Sequence, residues 1–328
     1  MAGDRRDEFG LIDDFFAPLA EAQTGALRLG DDAALFDLPP GQSGVVTADA
    51  MVAGVHFLAD DPPQDVAGKL LRVNLSDLAA MGADPIGYLL VAAWPPDITD
   101  EWISGFAAGL ARDQAVYGCG LLGGDTVATS GPLTLSLTAF GSVPTGQALR
   151  RDRARPGERI FLSGTVGDAA LGLRALQGDI GTLATADRNF LVERYRLPSP
   201  RVDFGIALRD LIRCAMDVSD GVAQDLGHIA RRSGCGAEIN LDTVPLSPAG
   251  RRALAILGAD PTFALSGGDD YELLFTAADG QRREILASAQ SLGLAVTEIG
   301  QIVEGKGVRV VDSAGQSIPF DQSGWRHR

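Results

Sequence analysis

Five short phrases of this chain run from apolar or small residues into acid: Leu29-Gly30-Asp31-Asp32, Val45-Val46-Thr47-Ala48-Asp49, Leu121-Leu122-Gly123-Gly124-Asp125, Met216-Asp217-Val218-Ser219-Asp220-Gly221, and Ser266-Gly267-Gly268-Asp269-Asp270-Tyr271-Glu272. Carboxylates at strand ends and in glycine-rich turns cannot all be ionised side by side without cations. Brought together by a fold, they describe a polynuclear Mg²⁺ site, and such sites hold phosphates.

Asp77 is the most informative single residue. On a wheel of 100° per residue, the helix expected over 64–82 places Val66, Leu70, Val73 and Met81 on one apolar stripe, with Asp77 in its middle and Asn74 beside it. A carboxylate on a buried face is costly unless partnered, so Asp77 calls either for a metal ion or for an ion pair with an arginine such as Arg72. The other motifs each carry two readings. Asp31-Asp32 is a ligand pair or a surface turn. Thr47 and Asp49 share one strand face and can offer a hydroxyl and a carboxylate to one cation. Gly123-Gly124-Asp125-Thr126 permits close backbone approach to a phosphate, or makes a tight turn. Asp217 and Ser219 share a face, while Asp220 opens a helix and can equally be its cap.

Arg150 and Arg151 are natural bidentate partners for phosphate, or else solvated linker charges. His56, in Gly54-Val55-His56-Phe57, is one of three histidines; His228 reads as a helix-surface residue and His327 as a tail residue. No G-x-x-x-x-G-K-[ST], protein-kinase set, G-x-G-x-x-G, H-E-x-x-H or zinc spacing occurs, and no histidine completes a nucleophile triad.

The elements that must position these residues are expected as follows. A helix over Glu8 to Gln23 leads into strands at 33–38 and 44–49, the helix 64–82, and a buried strand 86–94 closed by Pro95-Pro96. A helix over 99–117 capped by Thr99, a short strand at Leu121-Leu122 and an alternating strand 133–143 follow. The turn-rich stretch 144–158 marks a boundary, giving domains 1–145 and 146–328. Beyond it come strand 159–163, helices 167–177 and 201–211, strand 213–218, helix 222–233 and strand 236–241. Strand 271–277, helix 280–292 and strands near 295–302 and 307–312 complete the chain. This is an α/β (α+β) chain of two unlike α/β domains.

Its 328 residues suffice for two cores, and a net charge of −15 argues against binding nucleic acid or an anionic membrane. Lys69 and Lys306 are the only lysines, which reflects compositional bias. Cys119, Cys214 and Cys235 have no metal spacing and read as reduced, buried thiols. The polar start Met1 to Phe9 is not a signal peptide, and no apolar run approaches the ~18 residues of a membrane helix. The expected location is cytoplasmic.

In order along the chain, several segments resemble the motifs of the thiamine-monophosphate kinase family. They are Gly30-Asp31-Asp32-Ala33-Ala34, Thr47-Ala48-Asp49 to Gly54-Val55-His56-Phe57, and Asn74-Leu75-Ser76-Asp77 to Ala83-Asp84-Pro85. Gly123-Gly124-Asp125-Thr126, Asp217-Val218-Ser219-Asp220-Gly221 and Ser266 to Leu273 continue the match, which runs to Gly324-Trp325. The Asn-Leu-Ser-Asp block marks the wider superfamily that includes aminoimidazole ribonucleotide synthetase. Gly-Val-His-Phe and Gly-Gly-Asp-Asp-Tyr-Glu-Leu point to the thiamine family within it.

The resemblance implies ATP-dependent phosphorylation of thiamine monophosphate to thiamine diphosphate, the final step in making that cofactor. It implies Asp32, Thr47, Asp49, Asp77, Asp125 and Asp217 as Mg²⁺ ligands, with Asp220 a further one. Gly124, Asp125, Arg151 and Ser219 would contact ATP, and His56, Asp269 and Trp325 the thiamine moiety. It also implies a homodimer whose N-terminal sheets join into a barrel. Ala48 stands where many members carry a second hydroxyl, and Asp269 where the family usually carries Glu. The acceptor is a phosphate monoester with a second pKa near ~6, so it is already anionic and needs no general base. Direct in-line transfer without a phospho-enzyme is expected. Two other readings are another enzyme of the superfamily and a non-catalytic metal- or nucleotide-binding regulator. Selenophosphate synthetase, for one, expects an N-terminal reactive Cys and Lys that are absent before residue 69.

Overall fold

Strict alternation along β4 (Thr134–Pro144) shows how the first sheet is made: Leu135, Leu137, Ala139, Gly141 and Val143 are buried, and the residues between them are half-exposed. The computed structural model describes residues 8–319. It forms two compact units, one holding the described residues to Leu78 together with Asp84–Gly146, the other Ala79–Ala83 and the described residues from Gln147 onward.

In the first unit, β1 (Gln42–Val52), β2 (Asp84–Trp94) and β3 (Gly120–Ala128) join β4 in a sheet of order β1-β4-β2-β3. β4 is antiparallel to both neighbours, and β3 is parallel to β2. The opening helix α1 spans only Glu8–Leu11, followed by a wide turn at Ile12–Phe16 and a tight one at Ala17–Ala20. The helix expected to reach Gln23 breaks there because Pro18 has no N–H to continue it. Helix α2 spans Pro63–Ala80, and α3 spans Asp100–Tyr117. Thr99 caps α3 by accepting from the Trp102 N–H at 3.2 Å, and Gly118, left-handed at φ 65°, ends it.

Two strand expectations need correction. Residues 33–38 form no strand: Leu35 N–H bonds back to the Gly25 carbonyl at 2.8 Å, and the Leu35 side chain is exposed. The Leu35 backbone lies against the turn at Gly25, and Phe36 sets its ring 5.4 Å from that of Phe140 without joining the sheet. Conversely, the Leu121-Leu122 strand continues to Ala128. An extra residue at Leu122 makes a bulge against Tyr88/Leu89, after which Gly123 to Ala128 stay in register with Leu89 to Trp94. The Gly-Gly-Asp motif therefore lies within a strand and not in a tight turn.

The second unit has strands β5 (Arg159–Ser163), β6 (Cys214–Asp217), β7 (Gly236–Asn240), β8 (Leu273–Ala277), β9 (Val296–Val303) and β10 (Gly307–Val311). Their order is β10-β7-β9-β5-β8-β6, antiparallel except for the β10–β7 pair. Helices α4 (Asp168–Leu176), α5 (Thr185–Arg196), α6 (Val202–Leu208), α7 (Val222–Ser233), α8 (Pro248–Leu257), α9 (Phe263–Ser266) and α10 (Arg282–Ser291) complete it. Leu162, Met216 and Leu274 of the sheet share a core with Leu226 and Ile229 of α7. Leu171, Leu191 and Leu254 bring α4, α5 and α8 into a second cluster. Neither α5 nor α8 stood out in the sequence. All three cysteines are buried free thiols, and no helix among the described residues is long and apolar enough to cross a membrane.

Candidate active site

Asp77 sits on α2 directly across from Thr47 of β1, whose hydroxyl donates to the Asp77 carboxylate. One turn earlier, Asn74 is fully buried; its carbonyl oxygen accepts from the Asp49 N–H at 3.1 Å, and its amide donates to the Leu70 carbonyl at 2.9 Å. Helix and strand are thus locked through the very residues that carry the oxygen donors. Arg72 is engaged elsewhere: its Nε and Nη2 donate to the buried Asp113 at 2.6 and 3.0 Å. Lys69, also buried, donates to the His56 carbonyl at 3.1 Å. The His56 Nδ1 accepts from the Val52 N–H at 3.0 Å, which in the neutral ring leaves the proton on Nε2.

A cavity of about 610 Å³ opens on the first unit, within the ~300–1,000 Å³ range of small-molecule sites. Two sequence-distant motifs meet in it. Asp31 and Asp32 line one side, and Gly123, Gly124, Asp125 and Thr126 another, with Phe36, Val91 and Phe140 as apolar wall. Gly124 is required: a Cβ there would stand 1.7 Å from the Leu90 carbonyl oxygen. Leu27, Arg28 and Leu29 all hold positive φ (51°, 58° and 57°), so the approach to Asp31 is a strained backbone. The Asp31 carboxylate accepts from the Asp32 N–H at 2.8 Å and is thereby fixed as a turn-former.

The sheet register separates the candidates of this unit. Asp49 lies opposite Leu137, and Leu137 opposite Leu90, on the buried pleat. Asp125 lies opposite Val91, one residue out of phase with Leu90. Thr47 and Asp49 therefore face α2, whereas Asp125 belongs to the other face, with the cavity. Among the described residues, no three His, Cys, Asp or Glu side chains converge as a metal cluster.

In the second unit, Asp217 ends β6 and is buried, and the loop after it carries Ser219 and Asp220. This loop is stitched to the 266–272 loop through backbone. Asp269 N–H donates to Ser219 O at 2.9 Å, Tyr271 N–H to Val218 O at 2.8 Å, and Val218 N–H to Glu272 O at 2.9 Å. A Cβ on Gly268 would stand 2.4 Å from Ser219 O, so this approach demands glycine. Asp220 accepts from the Gln224 amide at 3.0 Å and is not the cap of α7. Arg151 is exposed, and Arg150 is taken by Asp152 at 2.6 Å. Trp325 lies outside the described residues.

Reading the sequence missed Asp225, on α7. Its carboxylate accepts from the Asp220 N–H at 3.1 Å, and burial, followed by the nearby Asp220 charge, raises its pKa to about 7. The signal was present: Asp225 stands in the buried stripe Val222, Leu226, Ile229. Also missed were Arg194 and Arg201, the part-buried partners of Glu272, since they stand some seventy residues before it.

The chain matches the model of the AIR synthase related protein N-terminal domain over residues 30–143 and that of its C-terminal domain over 155–313. It is 43% identical to a thiamine-monophosphate kinase of Caulobacter vibrioides, covering 98% of this chain and 90% of the relative. The crystal structure of thiamine-monophosphate kinase from Stenotrophomonas maltophilia K279a superposes with a TM-score of 0.83 at 44% identity, covering 95% of this chain and 98% of that one. A structure of AaThiL complexed with AMPPCP and TMP superposes with a TM-score of 0.78 at 31% identity, covering 98% and 97%.

Proposed function

This chain belongs to the thiamine-monophosphate kinase family of AIR synthase related proteins, and on that premise we propose that it phosphorylates thiamine monophosphate with ATP. The products are thiamine diphosphate and ADP. The observation that carries this reading is the end-to-end likeness to a kinase solved with AMPPCP, a methylene analogue of ATP, and TMP.

The chemistry fits the residues. A phosphate oxygen of the acceptor attacks the γ-phosphorus of ATP, the bond to the bridging oxygen breaks, and ADP leaves. With an acceptor pKa near ~6 no side chain has to remove a proton, so the work is to position two anions against their repulsion. The donor set suits Mg²⁺: the contacting oxygens of Thr47 and Asp77 are hydroxyl and carboxylate, with no sulfur or imidazole between them. In this reading Thr47, Asp49 and Asp77 hold metal on the α2 side of the sheet. Asp32 and Asp125 hold it at the cavity, and Asp217 and Asp220 in the second unit. When bound, Mg²⁺ neutralises the charge of the phosphates. Gly124, Asp125, Arg151 and Ser219 contact ATP; His56, Asp269 and Trp325 contact the thiamine moiety. Ala48 leaves Thr47 as the one hydroxyl before Asp49.

The reading carries with it a homodimer built on the first sheet, which supports it by exposing Val46, Val91 and Val127 on one face. A cytoplasmic location agrees with three reduced thiols. The test is product analysis from ATP, Mg²⁺ and thiamine monophosphate, with free thiamine and aminoimidazole precursors as parallel acceptors. Thiamine diphosphate formed only from the monophosphate, one per ADP, is the expected result. ATP consumed without it overturns the assignment.

A further inference from the structure

Glu272 has no exposed surface, yet it is charged and heavily partnered. Arg201 Nε donates to Glu272 Oε2 at 2.7 Å while its Nη2 donates to Oε1; Arg194 Nη2 reaches Oε1 at 2.9 Å, and the Ser163 hydroxyl donates to Oε2 at 2.6 Å. Burial works to raise this carboxyl, but the Arg201 hydrogen bond and the Arg201 and Arg194 charges outweigh it and hold it below the usual range. Two residues earlier, Asp270 is equally buried and accepts the N–H groups of Gly167 at 2.6 Å and Ala169 at 3.2 Å. Arg194 also donates to the Asp270 carbonyl at 3.3 Å. Gly164 is tailored to this arrangement, since a Cβ there would lie 2.1 Å from Glu272 Oε1.

A buried ion cluster of this kind is a poor source of stability, because apolar residues of equal volume commonly do as well. Its location suggests another purpose. Asp270 and Glu272 alternate with Asp269 and Tyr271, which are partly exposed and sit at positive φ of 69° and 51°. Two successive inward anchors thus hold two outward residues in a backbone that is unfavourable for side chains larger than glycine. The neighbouring 219–221 loop has its own anchor in Asp225.

We propose that Glu272, clamped by Arg194, Arg201 and Ser163, acts with Asp270 as the positioning device of the 266–272 loop, directing Asp269 and Tyr271 at the thiamine end of the acceptor and so setting its KM. This rests on the kinase reading above. These residues do not touch substrate; they act through Asp269 and Tyr271.

The experiment is steady-state kinetics of the full chain carrying Arg201→Lys, Glu272→Gln or Ser163→Ala, with KM for thiamine monophosphate, KM for ATP and thermal midpoint measured on each. Arg201→Lys and Glu272→Gln are expected to raise the KM for thiamine monophosphate about tenfold, and Ser163→Ala about threefold, with the KM for ATP changed less than about twofold. A general loss of fold would lower the active fraction and the thermal midpoint with both KM values unmoved, and a diffuse distortion of the site would move both KM values together; either result overturns the proposal. Should Glu272→Gln fail to fold, Ser163→Ala decides: it removes the hydroxyl's bond to Glu272 and the one it accepts from the Leu273 N–H at 2.8 Å, and leaves both ion pairs; an unmoved acceptor KM there overturns the proposal. A wild-type chain that makes no thiamine diphosphate defeats the kinase reading itself, whereas an active wild type with unsplit variants defeats the positioning role alone.

Discussion

The Thr47 hydroxyl donates to the Asp77 carboxylate across the packing of β1 on α2. Asp77 is therefore addressed by a strand residue that itself carries a donor oxygen, while Arg72 on the same helix is turned to Asp113. Asp77→Asn keeps the volume and can still accept from Thr47, but removes the charge. We expect transfer to fall on the order of 10³-fold with the fold retained. Initial rates and a circular-dichroism melt check this; near-normal turnover contradicts the role given to Asp77.

Asp113 makes a useful contrast: it is fully buried where Asp77 is half-buried, and its partners are structural. Arg72 and Arg112 both donate to it, at 2.6 and 2.8 Å. Asp113→Ala removes the carboxylate that the largely buried Arg72 shares with Arg112 and should cost about 3–5 kcal/mol of stability. The KM values of the fraction that stays folded should be unchanged. Urea unfolding followed by kinetics separates the two effects.

Gly124→Ala tests the close approach of β3 to β2. The new methyl would lie 1.7 Å from the Leu90 carbonyl oxygen, so the strands must part. A loss of about 3 kcal/mol is expected, together with a weaker KM for ATP because the cavity wall moves. A variant as stable as wild type, measured by its urea midpoint, would show that the approach is looser than described.

Asp270 gives a pH signature. Burial raises its carboxyl well above 3.8, with Asp168 adding to the rise and Arg194 and its N–H partners opposing it. Ionising it in the fold is thus costly. That cost is absent below the unfolded pKa and grows as pH rises through the folded one. Asp270→Asn has no such titration, so the stability lead of wild type over the variant should be largest near about pH 4 and shrink toward about pH 8. Thermal midpoints across that range measure it; a lead that grows with pH contradicts the assigned environment.

Much of this was legible in the sequence, and the rest was hidden for identifiable reasons. The stripe on α2 announced Asp77 because a helix of eighteen residues repeats its apolar period often enough to expose the exception. β4 was legible because strict alternation has one interpretation. Residues 33–38 misled because a short apolar run can cover a turn as readily as it can form a strand. The Gly-Gly-Asp strand was obscured by its bulge, which exchanges the faces of the residues beyond it. Glu272 and its arginines could not be paired from sequence, since contacts across some seventy residues leave no local pattern.

The most direct measurement uses ATP whose γ-phosphoryl group is made chiral with oxygen isotopes, with thiamine monophosphate as acceptor. In-line transfer between the two bound anions predicts that the label appears in thiamine diphosphate with inverted configuration. Retention would mean an intermediate phospho-enzyme, and label recovered only in free phosphate would mean hydrolysis; either result contradicts direct transfer to thiamine monophosphate.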